Sequence, residues 1–158
     1  EIKPVSSLVD IKGSASTNEN GCAKSKVINE FDGSHLFLKI INNYRQNLNR
    51  GLPILEFNDT LIDSAIDLSR TIMQNFTVVN FRPFIDAAKK NSEIENIEVC
   101  ATFESKTNGY VSRAFEAMLK KFQREIESDN DKIAIGFWDD KDENVSASCF
   151  LYRFKKQK

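Results

Sequence analysis

Apolar residues at Leu36, Phe37, Ile40, Ile41, Tyr44 and Leu48 recur at three- and four-residue steps, the stripe of an amphipathic helix, with Ser34 where an N-cap is expected. Gly51 and Pro53 predict its end: glycine can take the left-handed conformation that closes a helix, and proline cannot continue one. A second helix is predicted after a cap at Asn58 or Asp59. Its two apolar rows, Leu61, Ala65, Leu68, Ile72 and Ile62, Ile66, Met73, imply burial over much of its circumference. "RPFIDAAKKN" predicts a short helix opened by Pro83. Ile97, Val99, Ala101 and Phe103 alternate with Glu98, Cys100, Thr102 and Glu104, the period of a strand. Val111, Phe115, Met118, Leu119, Phe122 and Ile126 predict a one-sided helix, and "KIAIGFW" and "VSASCFLYRF" around "DDKDEN" predict a hairpin.

Residues 1–30 break from this patterning. They are rich in Ser, Asn, Gly and Lys without a sustained period, so a flexible tether or loosely docked extension is expected there, followed by one domain over residues 31–158. Helices interleaved with strands and a terminal hairpin predict an α+β chain with its sheet packed against helices.

Composition narrows the function classes. The chain has 158 residues, 41% hydrophobic and 28% charged, enough to close a core without metal or disulfide staples. A net charge of -1 and a pI of about 6.0 give no overall basic field, so nucleic acid is not an expected partner. No apolar run approaches the roughly 20 residues of a membrane span. Cys22, Cys100 and Cys149 form no zinc spacing. At least two are expected as buried thiols, with a Cys100–Cys149 bridge as the alternative, because both lie in strand-like segments.

The connector "RGLPILEFNDTL" between the first two helices is the most specific stretch. With its flanks it reads "INNYRQNLNRGLPILEFNDTLIDSAIDLS", Ile41 to Ser69, and this closely resembles the CAP superfamily, whose bacterial members run approximately I-N-x-Y-R, then G-L-P-x-L-x-W-x-x-x-L-x-x-A. The matching residues are Asn42, Tyr44, Arg45, Gly51, Leu52, Pro53, Leu55, Leu61 and Ala65, with Phe57 in place of the usual Trp. The likeness continues more weakly through "RPFIDAAKK", "IENI", "FEAM" and "KIAIGF", in the family's order, over roughly residues 34 to 154. It implies a CAP-type α/β/α sandwich, a small and mainly antiparallel sheet between helices. Physically, Gly51 and Pro53 stop a helix, and Leu55 and Phe57 are expected to pin the connector onto the core.

The family typically carries a cleft tetrad of two His and two Glu able to hold a divalent ion. Here "NFTVVNFR" and "FQRE" stand where the histidines belong, leaving Glu95 in register and Gln123 in place of an imidazole. No tetrad metal and no cofactor are expected. His35, the single histidine, is expected at the surface near a helix start, and without an imidazole beside a nucleophile the chain is expected not to be an enzyme. Phe76, Phe81 and Phe84 cluster around the stretch that replaces the first His, so an apolar cleft there is weighed against ordinary core packing. Asn58, Asn75 and Asn144 head N-x-S/T sequons, a number close to chance for this composition.

The resemblance implies an extracytoplasmic module, secreted or at the cell surface, with the N-terminal segment serving as a spacer from a lipid-modified cysteine upstream. Two functions follow from it. The first is a non-enzymatic binding module, monomeric, contacting a protein partner. The alternative is a carrier of lipid, sterol or fatty acid.

Overall fold

In the computed structural model, which describes residues 3–4, 30–75, 79–140 and 143–156, the elements run in the order β1 (Lys3–Pro4), α1 (Glu30–Asn47), β2 (Glu56–Phe57), a 3-10 turn (Asp59–Leu61), α2 (Ile62–Asn75), α3 (Arg82–Lys89), β3 (Ile94–Ser105), α4 (Tyr110–Ile126), β4 (Lys132–Asp139) and β5 (Asn144–Phe154). β3, β5 and β4 form an antiparallel sheet in that spatial order, with Cys100 opposite Cys149 and Ile135 opposite Cys149 on its other side. Both short strands lie against β4, β2 parallel at Lys132 and Ile133 and β1 antiparallel at Trp138 and Asp139. Lys3 and Pro4 belong to the segment read as a tether; most of that segment, Cys22 included, lies outside the described residues.

Side-chain alternation sorts the sheet into two buried faces. Cys100, Ile133, Ile135, Phe137, Val145, Ala147, Cys149 and Leu151 pack against Phe37 and Ile41 of α1 and Val111, Phe115 and Met118 of α4. Ile97, Val99, Ala101, Ala134, Phe150 and Tyr152 pack against Leu61 of the 3-10 turn, Ala65 and Leu68 of α2, and Ala88 of α3. The result is the three-layer α/β/α sandwich that the sequence resemblance implied.

α2 sits unusually low on the sheet. A Cβ on Gly136 would lie 2.4 Å from the Ala65 carbonyl carbon, so only glycine permits this approach. Polar groups made close by the approach are satisfied across the layers: the Ser69 hydroxyl donates to the Gly136 carbonyl at 2.8 Å, Ser148 donates to the Ala65 carbonyl at 2.5 Å, and Ser146 donates to the Ser69 carbonyl.

Several local expectations change. α1 begins at Glu30, so Ser34 lies inside the helix rather than capping it, and its buried hydroxyl has no hydrogen-bond partner among the described residues. Packing of the first turns at Gly33 against Tyr110 of α4 outweighs the local capping preference. The helix also closes earlier than Gly51: Asn49 takes the left-handed conformation at φ 56, and Gly51 follows at φ 71. Phe103, expected inward with Ala101, is 40% exposed. At that end of the sheet α2 is tied to the neighbouring strand β5 through Ser69 and Ser146, and β3 is the edge strand.

Candidate functional site

Two residues of the I-N-x-Y-R motif, Asn42 and Arg45, hold the connector between α1 and α2, and a third, Tyr44, ties α1 to the end of α4. Asn42 Nδ2 donates to the Leu55 carbonyl at 3.1 Å and its Oδ1 accepts from the Leu55 amide at 2.9 Å, so one side-chain amide pairs with the backbone as a neighbouring strand would. Tyr44 donates to Glu127 Oε2 at 2.5 Å. Arg45, fully buried, donates Nη1 to the carbonyls of Ile126 and Ser128 and Nη2 to those of Pro53 and Asn130, all at 2.8 to 2.9 Å. A planar guanidinium with fixed donor directions suits four converging carbonyls. It ties the end of α4, the loop into β4 and the connector to one point. Burial pulls its pKa down, and the charge of Asp129 partly offsets this.

Further along, the Glu56 amide donates to Asp131 and the Asn58 amide to Ile133, extending β2 along β4. Asn58 caps the 3-10 turn by accepting from the Thr60 amide at 3.0 Å, as the sequence suggested. Its Oδ1 also accepts from the Tyr152 hydroxyl at 2.7 Å. The connector backbone is thus fixed at Pro53, Leu55, Glu56 and Asn58.

On this fixed backbone Leu55 points inward, 1% exposed, and Ile54 points outward at 61%. Phe57 does not pin the connector to the core as expected. It is 38% exposed and sets its ring edge-on to His35 at 5.2 Å, because the two-residue strand β2 ends at the rim of the sheet rather than beneath a helix. Behind Phe57 and His35 opens a pocket of about 210 Å³, reaching Ser34, Asp59, Ile62 and Ile135. His35 is at the surface, where it was expected, but in company the sequence did not reveal.

The two residual family positions each have their own polar partner. Glu95 lies at the irregularity in the β3 register and pairs with Arg153 at 3.3 Å. Gln123 donates to Glu127 Oε2 at 3.1 Å. Glu127 also receives Tyr44 and, at 2.7 Å, Arg50; the Tyr44 bond first, then Gln123 and Arg50, hold its carboxyl below the ordinary range. Sequence reasoning missed Glu127, which no motif marks. Among the described residues no group of three or more His, Cys, Asp and Glu side chains is placed to hold a metal ion.

Phe84 packs against the cluster beneath α2 and α3, and Phe81 does the same while stacking on Phe122 at 5.9 Å. Phe122 is the residue at which α4 leaves helical geometry, with φ -129 and ψ 37. Phe76 lies outside the described residues. Among the described residues no helix is long and apolar enough to cross a membrane.

These layers and this connector define a CAP-like fold. An outer surface protein from Borrelia burgdorferi is similar to the chain in structure, with a TM-score of 0.61 and 19% identity over 78% of this chain and 94% of that one. An extracellular protein containing a SCP domain from Bacillus anthracis is similar with a TM-score of 0.57 and 11% identity, over 90% of this chain and 45% of that one. No protein-family model matches the sequence, and no curated protein matches it.

Proposed function

We propose that the chain is a non-enzymatic CAP-like binding module, secreted or displayed at the cell surface, that contacts a protein partner through the α1–α2 connector. The observation that carries this reading is the outward display of Ile54 and Phe57 from a backbone anchored on both sides by Arg45, Asn42 and β4. Rigid apolar side chains standing free of the core lose little entropy on binding, which is how the centre of a protein interface gains affinity. The pocket beside them favours a protein over a lipid. Ligand sites begin at about 300 Å³, and about 210 Å³ suits a single inserted side chain better than a sterol or fatty acid. The surface and extracellular nature of the structural neighbours supports the location.

The test pairs two experiments. Labelled sterol and a long-chain fatty acid are titrated against the purified chain, beside a divalent-metal titration by calorimetry, and no saturable uptake or metal heat is expected. A photo-crosslinker at position 54 is then exposed to surface and extracellular proteins, with a discrete adduct expected that Phe57→Ser abolishes in a chain of unchanged thermal midpoint. Saturable lipid uptake would overturn the reading in favour of a carrier.

A further inference from the structure

Cys100 and Cys149 occupy directly opposed positions on β3 and β5, and both are fully buried as free thiols on the face covered by α1 and α4. The ladder fixes their geometry further. The Lys106 amide donates to the Glu143 carbonyl, which makes 106 and 143 a hydrogen-bonded pair. Such pairs recur at every second position of an antiparallel ladder. Between Asn96 and Ser105 the register runs without interruption, so counting back through 104 and 102 makes Cys100 and Cys149 a hydrogen-bonded pair as well. The Cα atoms of such a pair lie about 5.5 Å apart, inside the range of about 4.4 to 6.8 Å that a disulfide spans.

We propose that Cys100 and Cys149 close a cross-strand disulfide when the chain folds in the presence of a disulfide oxidant. One thiolate attacks a sulfur of the oxidant, displacing its first thiolate. The other cysteine then attacks the resulting mixed disulfide and displaces the oxidant's second half. Two protons and two electrons leave the protein, and the oxidant departs as two thiols. Because both sulfurs are sealed beneath α1 and α4, exchange takes place before those helices close over the sheet, and the finished bond is shielded from reductant in the folded chain. The Cβ atoms of a hydrogen-bonded pair stand at the wide end of the cross-strand range, so closing the bond draws β3 and β5 together locally. A bond closed under such strain is reduced more easily once it is exposed. That an oxidant is met in life rests on the surface or extracellular reading above; the chemistry of the pair does not.

The experiment uses the full chain carrying Cys22→Ser, so that only these two thiols remain. It is unfolded in denaturant with reductant, then refolded with oxidised glutathione. The expected product is lighter than the reduced chain by about 2 Da, the two hydrogens removed. It shows no thiol reactive to a chromogenic disulfide reagent in denaturant, and a non-reduced digest yields one linked peptide pair containing Cys100 and Cys149. Its thermal midpoint is raised relative to the reduced form. Two reactive thiols remaining after refolding to native circular dichroism, or stable glutathione adducts without internal closure, would overturn the proposal. Neither result bears on the partner surface, since the pair is on a buried face remote in sequence from the connector, and crosslinking at position 54 reports on that separately.

Discussion

The guanidinium of Arg45 donates to the main-chain carbonyl of Asn130 at 2.9 Å, and both residues are fully buried. Three further carbonyls converge on the same cation. Asn130 in turn donates to the Leu151 carbonyl at 3.1 Å, so this contact links the end of α1 to the central strand of the sheet.

Arg45→Lys keeps the charge and loses the fork. An ammonium on a flexible stem cannot reach four carbonyls in fixed directions, and each buried acceptor left without a donor costs about 1 to 3 kcal/mol. The expected loss is at least about 3 kcal/mol, read as a lower denaturation midpoint in urea with an unchanged slope. Arg45→Met is expected to cost as much or more. Stability within experimental error of the parent in either variant would remove Arg45 from its structural role.

Gly136→Ala places a methyl group onto the main chain of α2 at Ala65. Overpacking of this kind costs about 1 to 3 kcal/mol or more. Because the atoms met are backbone, the double variant with Ala65→Gly is expected to give no rescue. Recovery of the parent's thermal midpoint in the double variant would show that the seat of α2 is set by side chains instead.

Glu98 and Glu127 respond to acid with opposite signs. Burial first, then the Glu125 carboxylate, raises the pKa of Glu98, so its contribution to stability is present below the ordinary carboxylate range and is lost as pH rises through the raised value. Glu98→Gln is therefore expected to exceed the parent in stability at about pH 7, with the advantage shrinking toward about pH 4. For Glu127 the lowered pKa gives stability present above the ordinary range and lost as pH falls through the folded value. Glu127→Gln is expected to flatten the acid limb of the stability profile. Parallel profiles for parent and variants would contradict both assignments.

Burial pushes the Tyr152 phenol up to about 12. The unfolded chain ionises this group near pH 10, so stability is full below that point and falls between about pH 10 and 12. Tyr152→Phe is expected to cost about 1 kcal/mol at neutral pH through the lost bond to Asn58 and to remove its share of the alkaline loss. Equilibrium unfolding at both ends of that interval decides the matter.

The layered fold was legible because its elements announce themselves through period. Val111 to Ile126 keeps one apolar face and becomes α4; Ile97, Val99 and Ala101 alternate and share one buried face; Pro83 opens α3 as its fixed φ suggests. What failed was decided by distant contacts. Ser34 looked like a cap, but α1 continues through it because Gly33 meets Tyr110. Phe57 looked like a core anchor, yet it stands at the rim of the sheet beside His35. Nothing in the neighbourhood of Arg45 identifies its acceptors, which lie up to 85 residues away in sequence. Glu127 was invisible for the same reason, since its partners Tyr44 and Arg50 come from the other end of the chain.

The pairing of Asn42 with the Leu55 backbone separates two duties that most surface loops must share. The residue that holds the connector is a side chain on another element, and its grip is on main-chain atoms that every amino acid possesses. The side chains at positions 54 and 57 take no part in that grip. Substitutions there can therefore alter what the connector presents to solvent while Asn42 keeps the path of its backbone unaltered.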